Sequence, residues 1–159
     1  MIFNPSAAAV LLSAGADPNL RGPRGVPPLG RVIVSTQEPD TSMLELYLEH
    51  GAKLESNLLF YSVAPRVQQC ELMTRFLLDR GADPNVTSDE WGTPLHLAIK
   101  QGKVEIVKML LEAGADPTVL SVGRRIGTKT KKTPAQVAEY VRHPEAREAI
   151  LSLFQGYSR

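Results

Sequence analysis

Trp91-Gly92-Thr93-Pro94-Leu95-His96-Leu97-Ala98-Ile99-Lys100-Gln101-Gly102-Lys103-Val104-Glu105-Ile106-Val107-Lys108-Met109-Leu110-Leu111-Glu112-Ala113-Gly114-Ala115-Asp116 carries the start and stop signals of two short helices. Thr93 is a capping residue type, and Pro94 is of the type favoured at a first helical position. Leu95, Ala98 and Ile99 recur at i, i+3 and i+4, which gives the first helix one apolar face. Gly102 breaks it. Val104, Val107, Leu110 and Leu111 then predict a second helix, and Gly114 ends that one because glycine turns left-handed at little steric cost. The predicted unit is helix–turn–helix–loop. Two such helices cannot bury their apolar faces alone, so neighbouring units must stack to make a core.

Working outward, the end of the unit recurs. Leu11-Leu12-Ser13-Ala14-Gly15-Ala16-Asp17-Pro18-Asn19, Leu46-Tyr47-Leu48-Glu49-His50-Gly51-Ala52 and Phe76-Leu77-Leu78-Asp79-Arg80-Gly81-Ala82-Asp83-Pro84-Asn85 repeat it upstream, with glycines at intervals of 36, 30 and 33 residues. A fixed period near 33 residues marks a repeat architecture. Pro18, Pro84 and Pro117 forbid the helix from continuing past the turn. The alanine after each glycine is small enough to lie under it.

Thr93-Pro94-Leu95-His96-Leu97-Ala98, followed by Gly102, Glu105-Ile106-Val107-Lys108 and Gly114-Ala115-Asp116, resembles the ankyrin-repeat consensus almost position for position. The phrase Trp91-Gly92-Thr93-Pro94-Leu95 is similar to ankyrin repeats common in fungal proteins. The resemblance implies an all-α solenoid of stacked helix–turn–helix units, about four to five repeats with the first incomplete. One domain is expected over residues 1–156: a half repeat at 1–19, repeats at about 20–54, 55–85 and 86–118, a long basic loop at 118–132, and a capping repeat at 133–156.

The copies differ in their connections. With Pro94 as anchor, the equivalent positions are Pro28, Leu58 and Pro134. Three extra residues are expected between the helices of the second and third repeats, near 36–40 and 64–67. The connection from Gly51 to Leu58 is about six residues shorter than that from Gly81 to Pro94, which predicts that no inter-repeat hairpin forms there. Residues 5–14 supply only a second helix, apolar nearly all round at Ala7–Leu12. That reads as the interior of a longer array, with an apolar end able to associate or fray. Residues 144–154 read as a charged, amphipathic cap.

Composition bounds the function. In 159 residues, 18 Lys and Arg face 17 Asp and Glu, so no whole-molecule field favours nucleic acid or an anionic membrane. The longest apolar runs fall far short of a membrane span, and Met1–Pro5 carries no signal-like segment. A lone Cys70 excludes an internal disulfide framework and fits a reducing compartment, hence an intracellular, cytoplasmic or nuclear location. No cofactor, metal or catalytic role is expected. His50, His96 and His143 fall on different repeats, and no phosphate loop, nucleophile elbow or metal-ligand spacing is present. Asp83 and Asp116 are repeat equivalents suited to turns, and Cys70 reads as a spectator thiol at a helix start. The resemblance implies that His96 bridges helix and loop backbone between repeats.

Function then rests on surfaces. The family's concave face, made of hairpin tips and first helices, holds protein partners. Carried over position by position, its exposed first-helix sites are Arg31, Val34 and Ser35; Tyr61 and Ala64; Leu97, Lys100 and Gln101; and Val137, Tyr140 and Val141. The hairpin sites are Arg21, Arg24, Thr87, Asp89 and Glu90, with Trp91 either packed under the hairpin or serving as a binding anchor. Arg124 and Arg125, with Lys129, Lys131 and Lys132, make a basic loop that suits an acidic surface or, alternatively, a phosphate backbone. No aromatic residue interleaves them for base stacking. The expected activity is a non-catalytic scaffold for a protein partner. The alternatives are a regulatory or structural segment of a larger protein and weak nucleic-acid binding through 124–132.

Overall fold

The computed structural model describes residues 4–121 and 131–157. Among the described residues its helices are α1 (Pro5–Ser13), α2 (Pro28–Ser35), α3 (Ser42–Glu49), α4 (Leu58–Val63), α5 (Cys70–Asp79), α6 (Pro94–Lys100), α7 (Val104–Glu112), α8 (Pro134–Ala138) and α9 (Pro144–Tyr157), with a 3-10 turn at Pro23–Gly25. Extended pairing among the described residues is confined to two isolated antiparallel bridges, Ser88 with Gly92 and Ser121 with Lys132. The chain forms two compact units, residues 1–82 and 83–159.

Helices α1, α3, α5 and α7 end in the same device. Gly15, Gly51, Gly81 and Gly114 have φ of +90°, +89°, +87° and +92°, the left-handed region that glycine enters without a Cβ penalty. The next residue closes the motif: Ala16 N–H donates to Leu11 O, Ala52 to Tyr47 O, Ala82 to Leu77 O and Ala115 to Leu110 O, at 2.9–3.1 Å. Each glycine N–H bonds the carbonyl three residues back, so two of the orphan carbonyls of the last turn are satisfied in a Schellman arrangement. Asp then holds the loop. The carboxylates of Asp17, Asp83 and Asp116 accept the N–H two residues on, from Asn19, Asn85 and Thr118, each at 2.8 Å. The turn role expected of Asp83 and Asp116 is what these bonds show.

In the first unit α2 packs on α3 and α4, α4 on α5, and α1 on α3. Leu29, Val32, Ile33, Leu44, Leu58, Leu59, Met73, Phe76 and Leu77 form its core. A polar pair is sealed into this unit, where the Thr74 hydroxyl donates to Ser62 Oγ and Ser62 to the Leu59 carbonyl. In the second unit α6 packs on α7 and α8, and α9 closes on α7 and α8. Ile150 and Phe154, one helical turn apart, are the buried residues of α9.

The connections follow the spacing. Six residues separate α2 from α3 and α4 from α5, against three between α6 and α7. The 82–93 connection carries the Ser88–Gly92 bridge, and 51–57 carries none.

Candidate partner-binding surface

His96 fixes the geometry of the second unit. It is fully buried, its Nδ1 accepts the Thr93 N–H at 3.3 Å and lies 2.8 Å from the Thr93 hydroxyl, and its backbone N–H donates to Thr93 Oγ1. Nε2–H donates to the Lys132 carbonyl at 3.1 Å, which pins the base of the long loop to α6. Burial pulls the imidazole pKa below its ordinary value, against the smaller opposing pull of that bond, so the neutral ring is the favoured form. At the start of α8, Gln136 takes the same place, accepting the Thr133 N–H and donating its own backbone N–H to Thr133 Oγ1.

Two asparagines tie consecutive turns together. The Asn85 amide donates to Gly114 O and accepts from Asp116 N–H at 2.7 Å; Asn19 does the same toward Gly51 O and Lys53 N–H. The signal of these latches, Asp-Pro-Asn after Gly-Ala at 17–19 and 83–85, lies in the repeat itself.

The expected binding residues divide. Arg31, Arg24, Asp89, Glu90 and Lys100 are exposed, as is Tyr140 at 66%. Arg21 is exposed but engaged: its guanidinium holds both Glu55 carboxylate oxygens and the Gly25 carbonyl, and this contact keeps the Glu55 pKa low. Arg24 has a left-handed φ of +63° between Pro23 and Gly25. Trp91 and Gln101 are half-buried. Tyr61 is half-buried as well and packs on the first core, its ring 3.3 Å from where a Cβ on Gly30 would sit.

Three expectations are overturned. Leu97, read as exposed, is 1% exposed, because residues 94–99 are enclosed in a unit where α6 meets both α7 and α8. Val137 and Val141 are buried at 4% and 5%, the one on α8 and the other in the turn just after it. Arg124 and Arg125 lie outside the described residues.

Lys100, Gln101 and Tyr140 do come together. They line a hollow of about 340 Å³ with Gly102, Val137, Val141, Arg142 and His143. Beside it the Lys132 ammonium stands 4.8 Å from the Tyr140 ring centroid and 3.4 Å from its hydroxyl. Arg142 carried no signal in the sequence, since its place depends on where α8 breaks. No group of three or more His, Cys, Asp or Glu among the described residues is placed to hold a metal. Nor is any described helix long and apolar enough to cross a membrane.

Residues 31–121 and 59–156 match the ankyrin-repeat family in overlapping stretches, in three copies. The chain is similar to the 2-5A-dependent ribonuclease of Mus musculus, 53% identical over 53 residues, which are 33% of this chain and 6% of that protein. An ankyrin repeat protein of Acanthamoeba polyphaga mimivirus is 33% identical over 66 residues, 41% of this chain and 16% of the relative. One from Fowlpox virus is 35% identical over 115 residues, 69% of this chain and 58% of the relative. The matched stretch thus spans a small part of the first two and rather more than half of the third.

Proposed function

Because the chain belongs to the ankyrin-repeat family, whose repeats in general mediate protein–protein interaction, we propose that it is a non-catalytic module that binds a protein partner on the family's concave face. The observation that supports this most is the set of exposed charged and aromatic side chains at first-helix and hairpin positions and in the turn after α8: Arg31, Asp89, Glu90, Lys100 and Tyr140 all stand in solvent. Charged and aromatic side chains at rigid positions suit recognition, since Tyr, Trp and Arg dominate interface energy. The ribonuclease relative matches over 6% of its length, and its activity is not carried over.

Photo-crosslinkers at positions 31, 100 and 140, with position 108 on α7 as control, test the reading in extracts of the native host. The expected result is one protein adduct shared by the first three and missing at 108. Adducts confined to 108 would reject the face.

A further inference from the structure

We propose that the hollow lined by Lys100, Gln101, Tyr140, Arg142 and His143 is a subsite for acidic side chains, and that the partner docks there with an Asp/Glu-rich peptide segment. This deepens the partner-binding reading above and rests on it. None of the lining side chains is a carboxylate, while Lys100 and Arg142 bring two cationic groups there and Lys132 adds a third beside them. Lys100 already bears part of a desolvation cost, which lowers its pKa. An arriving carboxylate relieves that cost by pairing with the ammonium. Arg142 offers the planar fork that matches a carboxylate bidentately, and Gln101 an amide donor.

Size and shape choose between occupants. About 340 Å³ stands at the low end of the range for ligand pockets, roughly 300–1,000 Å³, which fits one or two acidic side chains better than a large ligand. A nucleic-acid strand needs a row of cations along its backbone and open aromatic faces on which bases stack. Here the cations converge on one hollow. The Tyr140 ring is approached by Lys132, whose ammonium sits at cation–π distance over it. A peptide carboxylate seated between Lys100 and Arg142, with its stem against Tyr140 and Val137, meets both cations and an apolar wall of the hollow.

The test is fluorescence anisotropy of labelled octaglutamate titrated with the full chain at low salt. Saturable binding is expected, weakening as salt rises. Lys100→Gln and Arg142→Gln, made singly, should each weaken it at least tenfold, while Lys108→Gln, an equal charge loss at an exposed position of α7, changes it less than twofold. Melting temperatures within a few degrees of one another establish that the variants fold. Absence of saturable binding, or an equal loss in Lys108→Gln, overturns the subsite. So does an oligouridine of equal charge that binds as tightly and is lost in the same variants, since the hollow then reads phosphate. Octaglutamate binding alongside a negative cross-linking result removes only the protein-partner reading. Cross-linking at 100 and 140 without octaglutamate binding removes only the acidic segment.

Discussion

His96 shows how one side chain serves capping, packing and loop anchoring at once. Its folded pKa lies below the ordinary value of about 6.5 because burial disfavours the imidazolium. The unfolded chain therefore binds more protons just below pH 6.5, so stability falls as pH drops from there toward the folded pKa. Urea unfolding at pH 7.5 and 5.5 should show that loss, and His96→Gln should flatten it, since Gln136 makes the same cap at Thr133. A slope unchanged in His96→Gln would locate the proton uptake elsewhere. Leu110, fully buried at the heart of α7, should cost about 2–5 kcal/mol as Leu110→Ala through the cavity left behind. A loss under about half a kilocalorie would mean that the site collapses. These residues were legible because an apolar periodicity or a cap names them. Leu97 was not. A seven-residue helix enclosed on several sides has no solvent stripe, and amphipathic reasoning needs one.

Among the elements, the turns were the most readable, because a positive φ leaves little choice of residue. Gly81 at φ +87° has open space where a Cβ would go, so Gly81→Ala should cost only the conformational term, about 1–2 kcal/mol. Chemical denaturation of that variant should show an unchanged m-value; a neutral substitution would mean the turn relaxes. Helix α1 is the opposite case. Leu12 is buried, but Val10 and Leu11 are 68% and 61% exposed, and among the helices of its unit it packs on α3. Its amides at residues 8–13 should exchange with solvent much faster than those of 106–111 in α7. Equal protection would show a contact on α1 that its burial does not reveal. The apolar run at Ala7–Leu12 announced this exposure, whereas the latch of Asn19 onto the next turn was hidden in residues that read as ordinary loop.

At the scale of the molecule, the all-α ankyrin-repeat fold was legible from one well-kept repeat and the glycine spacing. The binding surface was legible only in outline. Family position selected Arg31, Lys100 and Tyr140 correctly as exposed, but it also nominated Leu97, Val137 and Val141, which the packing around α8 buries. Tyr61, nominated likewise, touches the core, so its truncation tests stability as much as binding. The direct measurement of the central claim is therefore partner affinity for Lys100→Ala and Tyr140→Ala, beside Glu45→Ala and Lys108→Ala on second helices, with a thermal melt of each. At least a tenfold loss, roughly 1.4 kcal/mol, is expected for the first two at nearly unchanged melting temperature, and no loss for the others. Binding abolished by Glu45→Ala or Lys108→Ala, with Lys100→Ala and Tyr140→Ala silent, would contradict it.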